Sequence, residues 1–265
     1  MLKAIIFDMD DTLIDWSQRS EDWREYERQH LEQVFDYVAR EVHPVRSPEA
    51  FYEATHALAR EAWLEASREL RAPNLGVVMA RALEQIGVPA DRIDVDACLR
   101  AFNWQPMGGM AAYLDAAAIL PILREHGIQI GLITNAFQPM WMRDRELEAT
   151  GLLVHFAPCR LSSADVGYLK PHPAIFEAAL HCLGVQADEA VFVGDSPETD
   201  IAGAQSVGIR AVLRVGKRTP PMISGLIVPD GAVNDLYELL PILDTWYPGW
   251  RPPNGSGTTH AGATQ

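Results

Sequence analysis

The chain has few cysteines, an excess of acidic over basic residues, and no long apolar run. Its three cysteines, Cys98, Cys159 and Cys182, are odd in number and widely spaced, which argues against a disulfide framework and a cysteine-based zinc site. Twenty-two basic residues against 36 acidic ones give a net charge of −14, which would repel nucleic acid and anionic membranes. No apolar run reaches the roughly 18 residues of a membrane span, and no signal sequence is evident. We therefore expect a cytoplasmic protein that binds neither nucleic acid nor membrane.

Short apolar runs beside amphipathic stretches fill the first 15 residues and most of the chain after residue 105. Continuous runs of this kind are typical of strands buried on both faces of a parallel sheet. The predicted strands are IIF near the N-terminus, IQIGLI (128–133), AVFV (190–193) and IRAVL (209–213), with VHFAP (154–158) as a further candidate. Helices are predicted at 115–126, 139–149, 173–183, 198–207 and 232–243. The pattern predicts an α/β fold with a Rossmann-like, doubly wound parallel sheet.

The segment 16–105 differs, because it has helical periodicity and no strand-like run. Apolar residues recur there at three- and four-residue spacing, for example Leu31, Val34, Phe35 and Val38. We predict a helical subdomain inserted into a core made of residues 1–15 and 106–247. The tail, 248–265, is rich in Pro, Gly, Ser and Thr and is expected to be disordered.

Polar side chains follow three of the predicted strands. In "KAIIFDMDDTLID", Asp8 and Asp10 come after the first strand, while Thr134 and Asp195 come at the ends of two others. Ligands of a doubly wound sheet bind outside the carboxyl ends of the strands, so these side chains are expected to converge. Crowded carboxylates raise one another's pKa unless a cation intervenes, and Mg²⁺ suits such oxygen ligands. A solvated acidic turn is the alternative for the first stretch by itself.

Two later segments carry further candidates. In "GDSPETDIAGAQSVGI", Asp200 lies five residues after Asp195, in the first turn of a predicted helix. It would act on a metal through water, or simply interact with the positive helix end. In "GYLKPHPAIFEAAL", Lys170 stands before a Pro-x-Pro that opens a helix. It is either a surface lysine or, together with the carboxylates, the group that balances the charge of a phosphate.

Taken in order, these segments resemble the four motifs of the haloacid dehalogenase superfamily, a large group of mostly Mg²⁺-dependent phosphohydrolases. Each segment is a weak signal by itself, whereas the ordered set is specific. The matching segments are Asp8-Met-Asp10-Asp-Thr12, Thr134-Asn135, Lys170, and Gly194-Asp195 through Asp200. The resemblance covers residues 1–15 and about 105–230, and the helical insert stands where this family carries its C1-type cap. It implies a small phosphorylated substrate and Mg²⁺ as cofactor.

The resemblance also implies a role for each matching residue. Asp8 would be the nucleophile that forms an aspartyl-phosphate, and Asp10 would be the general acid and then the general base. Thr134 and Lys170 would complete the catalytic set by binding and neutralising the phosphoryl group. The implied substrate-binding residues are Thr134, Asn135 and Lys170. The implied metal ligands are Asp8, Asp10 (through its backbone carbonyl), Asp195 and Asp200.

Several functions remain open at this level. We favour a Mg²⁺-dependent phosphatase acting on a small phosphorylated metabolite, and a phosphomutase would share its chemistry. Haloacid dehalogenases of this family lack the second aspartate of the first motif, which is Asp10 here. Phosphonatases use a cap lysine, whereas the segment from Trp16 to Trp104 has none. A phosphoacceptor signalling module or a catalytically idle binding protein is the alternative from another class; the natural substrate and the oligomeric state are not specified by the sequence.

Overall fold

A computed structural model describes residues 1–19, 21–156, 159–216 and 227–252. Its main sheet has the strands β1 (Ala4–Phe7), β4 (Gln129–Thr134), β5 (Arg160–Ser162), β6 (Ala190–Gly194), β7 (Arg210–Arg214) and β8 (Gly231–Val233). They pair in the order β5-β4-β1-β6-β7-β8, and every pair is parallel. A separate antiparallel ribbon joins β2 (Ile14–Asp15) to β3 (Ala111–Ala112). The predicted α/β class with a parallel, Rossmann-like sheet is confirmed.

The central strands form where the apolar runs predicted them, because both faces of the sheet are covered. All four residues of β1 and all five of β6 are buried. Two predictions at the sheet edges were wrong. The segment proposed as a strand near 154–158 has a 3₁₀ turn at Leu153–His155, and the neighbouring strand is β5. The predicted helix 232–243 starts within the short strand β8, and its α-helical part begins only at Leu239.

Helices flank the sheet, and local sequence signals set their ends. They are α5 (Leu114–Glu125), α6 (Met140–Ala149), α7 (Ser163–Val166), α8 (Pro173–Leu183), α9 (Ala202–Ser206) and α10 (Leu239–Trp246). Helix α8 starts with Pro173 at its first position and ends at Gly184, which adopts the left-handed conformation at φ 66°. The predicted helix 198–207 is a π-helical turn, Pro197–Ile201, followed by α9. None of the helices within the described ranges is long and apolar enough to cross a bilayer.

The predicted insert is helical and has an apolar core of its own. Its α-helices are α1 (Trp23–Tyr37), α2 (Pro48–Glu69), α3 (Leu75–Gln85) and α4 (Val95–Phe102), with a π-helical turn at Val38–Val42. Buried side chains of these helices form one cluster that also includes Phe137 and Met142 from the α/β part. The backbone N–H of Leu75 donates to the carbonyl of Phe137 at 2.9 Å. The insert therefore packs against the segment that follows β4, and its boundaries at 16 and 105 stay a prediction.

The sheet topology places one strand end at a crevice. Strand β1 lies between β4 and β6: the chain forms β4 and β5 on one side of β1 and then crosses over to form β6, β7 and β8 on the other side. Ligands of open α/β sheets bind at such a switch point, outside the carboxyl ends of the strands.

At the other end of the chain, Trp250 is buried and donates to Asp244 Oδ1 at 2.9 Å, so packing continues past residue 247. Most of the tail predicted to be disordered, 253–265, lies outside the described residues.

Candidate active site

Three carboxylates converge where β1 and β6 end. Asp8 follows β1, Asp195 follows β6, and Asp200 lies in the π-helical turn just beyond. One oxygen of each lies within 4.8 Å of the others. Asp8 and Asp200 are buried, and Asp195 is half-buried. The structure therefore brings together side chains that are nearly 190 residues apart in the sequence.

Lys170 is the positive partner of this cluster, not a surface lysine. Its Nζ lies 2.5 Å from Asp8 Oδ1 and 2.7 Å from Asp200 Oδ1. The Asn135 side chain holds the Lys170 backbone, since Lys170 N donates to Asn135 Oδ1 at 2.8 Å and Asn135 Nδ2 donates to the Lys170 carbonyl at 3.1 Å. Asn135 thus positions Lys170, while a direct contact of Asn135 with substrate stays a prediction.

The approach of Asp200 to the strand depends on Gly194. A Cβ atom at Gly194 would overlap the Asp200 carboxyl group. The backbone N–H of Ser196 donates to Asp200 Oδ2 at 3.0 Å, and Lys170 takes the other oxygen. Both oxygens of Asp200 therefore already have protein partners. Its predicted interaction with a positive helix end stays a prediction.

Burial and neighbouring charges raise the pKa of Asp8 and of Asp195. Burial raises the pKa of Asp8 well above its usual value; Lys170 opposes the increase and the neighbouring carboxylates add to it. Burial and the charge of Asp200 raise the pKa of Asp195 to about 7. Burial alone would lower the pKa of Lys170, but Asp200 and Asp8 raise it, so the ammonium form is kept. Three carboxylates face one ammonium, and this oxygen-rich, negatively charged set fits a hard divalent cation such as Mg²⁺.

The Asp10 side chain has other partners than this cluster. Its Oδ1 accepts hydrogen bonds from an Arg143 nitrogen at 2.6 Å and from Trp16 Nε1 at 2.9 Å. Thr134 Oγ1, at the end of β4, donates to Asp10 Oδ2 at 3.3 Å. Thr134 and Asp10, both predicted site residues, are thus in contact. The predicted metal contact of Asp10 involves its backbone carbonyl, so that prediction does not depend on where the side chain lies.

The comparison with known proteins decides the family. Residues 2–208 match the model of the haloacid dehalogenase-like hydrolases. The chain belongs to this family. Membership confirms the predicted family and the predicted hydrolase class, and the match spans both the α/β core and the helical insert.

Known relatives of this hydrolase, and solved structures that resemble it, align with it over nearly its full length. It is 31% identical to a phosphoserine phosphatase of Thermus thermophilus over 90% of the chain and 98% of the relative. It is 29% identical to a glyceraldehyde 3-phosphate phosphatase of Pyrococcus abyssi over 92% and 94%. Among solved structures, a 2-haloacid dehalogenase of Pseudomonas syringae aligns with a TM-score of 0.59 and 28% identity over 93% of this chain and all of that chain. A phosphatase of this family from Thermococcus onnurineus aligns with a TM-score of 0.53 and 27% identity over 91% and 98%.

In this hydrolase, a series of buried contacts behind Asp10 is not predicted by the sequence. Arg143 Nε lies 2.9 Å from Glu146 Oε2, an ion pair whose atoms are not aligned as a hydrogen bond. Trp104 Nε1 donates to Glu146 Oε1 at 3.1 Å. Trp16 and Trp104 lie in the two segments that join the helical insert to the core, so both connections reach the surroundings of Asp10. The sequence signal for these contacts is the spacing of Arg143 and Glu146, two oppositely charged residues three positions apart on α6.

A cavity of about 370 Å³ lies between the insert and the core beside these residues. On the core side it is lined by residues of the segment after β4 and by α6, including Asn135, Phe137 and Arg143. On the insert side it is lined by Trp23, Glu27, Ala59 and Trp63. Arg143 contacts Asp10 and Asn135 holds Lys170, so the cavity adjoins the candidate active site.

Proposed function

We propose that this hydrolase is a Mg²⁺-dependent phosphatase, a phosphoric monoester hydrolase that acts on a small phosphorylated metabolite through an aspartyl-phosphate on Asp8. The observation that carries the proposal is the buried ammonium of Lys170, 2.5 Å from Asp8 Oδ1, within a cluster that includes Asp195 and Asp200. The relatives named for phosphoserine and glyceraldehyde 3-phosphate support a small phosphate ester. We further propose a cytoplasmic location and a cap formed by residues 16–105.

The first step transfers the phosphoryl group to the protein. A carboxylate oxygen of Asp8 attacks phosphorus, and the bond between phosphorus and the leaving-group oxygen breaks. Asp10 donates a proton to that oxygen, so the leaving group departs as an alcohol. Lys170 and Thr134 offset the negative charge on the phosphoryl oxygens, because positioned charges and donors supply most of the catalysis in phosphoryl transfer.

The second step releases inorganic phosphate. Asp10, now a carboxylate, accepts a proton from a water molecule, whose oxygen attacks phosphorus. The bond between phosphorus and Asp8 breaks, and Asp8 returns to its carboxylate form. Asp10 Oδ1 already accepts hydrogen bonds from Trp16 and Arg143. We therefore assign the proton transfers to Asp10 Oδ2, which lies next to Thr134.

The acids of the cluster would hold the metal. Asp8, Asp195 and Asp200, with the backbone carbonyl of Asp10, would be its protein ligands, and Asp200 would act directly or through water. Bound Mg²⁺ would neutralise charge on the phosphoryl group and on the carboxylates. A cation would also lower the raised pKa of Asp8 and so favour the ionised nucleophile.

A dehalogenase is the second candidate, because one similar structure is a 2-haloacid dehalogenase. In such a reaction Asp8 would attack carbon and release halide, a step that needs no proton donor at the position of Asp10. The presence of Asp10, held by three side chains, favours phosphate chemistry. Release of chloride from 2-chloropropionate without any phosphatase activity would reverse this preference.

The test is turnover of 4-nitrophenyl phosphate with and without Mg²⁺ by the wild type and by Asp8→Asn. We expect release of 4-nitrophenol that EDTA abolishes and that the variant lacks. Labelling by acetyl phosphate without steady turnover would indicate a phosphoacceptor module instead. Absence of any metal-dependent, Asp8-dependent release would refute the phosphatase.

A further inference from the structure

The cavity beside the candidate site has an aromatic and acidic wall on the cap side. Trp23 and Glu27 lie one turn apart on α1, and Ala59 and Trp63 lie one turn apart on α2. Trp23 is 38% exposed and Trp63 is 41% exposed, so both indole rings keep free surface. Phe137 lies across from them, with its ring centroid 6.4 Å from that of Trp63. The small Ala59 leaves space beside the rings.

The charges around this cavity disfavour a second anionic group on the substrate. Of the described residues that line it, Arg143 alone has a permanent positive charge, and its guanidinium already pairs with Asp10 at 2.6 Å and Glu146 at 2.9 Å. The opposite wall contributes Glu27, whose side chain is only 14% exposed. Its partner is His56, whose Nδ1 lies 3.5 Å from a Glu27 carboxylate oxygen and which carries a positive charge only when the imidazole is protonated. The wall therefore offers a ligand aromatic faces and one carboxylate whose partner is a histidine, whereas Arg143 already faces two acids.

We infer that this cavity binds the leaving group of the phosphate ester and that this leaving group carries an ammonium group. The inference rests on the proposed function, since the phosphate would lie at Asp8. Aromatic faces attract cations, most strongly where water is excluded, and Trp is the best ring for this contact. Glu27 adds an opposite charge next to Trp23. An uncharged ring would use the indoles but leave Glu27 without a partner in the ligand, and an anionic group would be repelled by it.

The size of the cavity agrees with this class of ligand. Its volume of about 370 Å³ lies within the roughly 300–1,000 Å³ that is typical of small-molecule sites. That space holds a quaternary ammonium with a short linker to the phosphate.

The test compares two esters of equal shape, phosphocholine and 3,3-dimethylbutyl phosphate, which differ in one positive charge. We expect kcat/KM of the wild type to be at least about tenfold higher for phosphocholine. In Glu27→Gln and Trp63→Leu this ratio should fall towards one. The ratio within each variant cancels damage that affects both esters equally. A wild-type ratio near one, or a high ratio that neither substitution lowers, overturns the inference.

Two matched variants control for the changes themselves. Glu25→Gln removes the same charge from an exposed position on α1, and Trp141→Leu removes an exposed indole, 47% accessible, on α6. Neither residue lines the cavity. Both variants should keep the wild-type ratio, and a loss in them equal to the loss in Glu27→Gln counts against the assigned wall.

A binding measurement separates this inference from the phosphatase proposal. Calorimetric titration with choline and with 3,3-dimethylbutanol needs no turnover. We expect choline to bind at least about tenfold more tightly, with Glu27→Gln losing the difference. If choline binds in this way and no phosphate ester is hydrolysed, the ammonium site stands and the phosphatase fails. If esters are hydrolysed but choline shows no preference, the phosphatase stands and the ammonium site is refuted.

Discussion

Replacing Lys170 by methionine removes the ammonium that pairs with Asp8 and Asp200 while keeping an apolar stem of similar length. In the wild type its Nζ lies 2.5 Å from Asp8 and 2.7 Å from Asp200, and the side chain is 2% exposed. Asp195 has an oxygen within 4.8 Å of both acids. The variant therefore leaves three crowded carboxylates without a cation of their own.

The expected loss of stability follows from this burial. Removing one partner of a buried ion pair typically costs about 3–5 kcal/mol, because the remaining charge is left uncompensated. For a chain of this size each kcal/mol lowers the melting temperature by ~2–4 °C, so we expect the metal-free variant to melt about 6–20 °C below the wild type. Mg²⁺ should restore more stability to Lys170→Met than to the wild type, since the cation would enter a more negative site.

Calorimetric melting of both proteins in EDTA and in Mg²⁺ measures this effect, together with phosphatase turnover. We expect Lys170→Met to bind Mg²⁺ more tightly and yet to lose activity, because the phosphoryl charge is no longer offset. Lys3→Met is the matched control: Lys3 pairs with Glu189 at 2.6 Å but is 51% exposed, so its removal should cost at most ~1 kcal/mol. Equal melting temperatures for Lys170→Met and the wild type in EDTA would refute the reasoning.

Three further predictions concern the supports of the site. Gly194→Ala places a Cβ against Asp200, so calorimetry should show a lower melting temperature and weaker Mg²⁺ binding. Arg143→Gln releases Asp10, so steady-state kcat should fall at least ~tenfold more for an alkyl phosphate, which needs a proton donor, than for 4-nitrophenyl phosphate. Burial raises the pKa of Glu146 from 4.5 to about 7. The folding stability that protonated Glu146 contributes is therefore fully present below pH 4.5 and is lost as the pH rises through 7. Denaturant titrations of Glu146→Gln should show no such dependence on pH.

Each of these has a distinct contrary result. Gly108→Ala, at an exposed glycine with only the end of the flexible Glu21 side chain nearby, is the control for Gly194→Ala; equal melting of the two variants would contradict the overlap with Asp200. A loss for Arg143→Gln that is the same on both esters would assign Arg143 to folding instead of to Asp10. Parallel curves of unfolding free energy against pH for Glu146→Gln and the wild type would contradict the raised pKa.

Continuous apolar runs made the central strands predictable. β1, β4, β6 and β7 are buried along nearly their whole length, and such strands carry their signal in their own residues. The edge strands β5 and β8 have three residues each, and β5 is only partly buried, so no comparable run marks them. The helix expected over 232–243 starts late because Gly231–Val233 pairs with β7, a contact that the local sequence does not encode.

The candidate site was predictable only in part, for the same reason. The rule that parallel strands end at one edge brings Asp8, Thr134 and Asp195 together. The sequence leaves Lys170 as either a surface lysine or the positive partner of these acids, and the family motif favours the second. The Arg143–Asp10 contact joins residues 133 positions apart and depends on how α6 packs under the first loop. The Trp104–Glu146 contact likewise depends on where the helical insert returns to the core. Neither contact corresponds to a sequence motif.

The central claim is that side chains of the segments that follow β1 and β6 share one divalent cation. Calorimetric titration of Mg²⁺ into the wild type, Asp8→Asn and Asp195→Asn tests it directly, with Asp188→Asn, at an exposed position before β6, as the control. We predict one Mg²⁺ per chain in the wild type and in the control, and at least about tenfold weaker binding in the other two variants. Binding that Asp8→Asn and Asp195→Asn leave unchanged, or no binding in the wild type, would contradict the account.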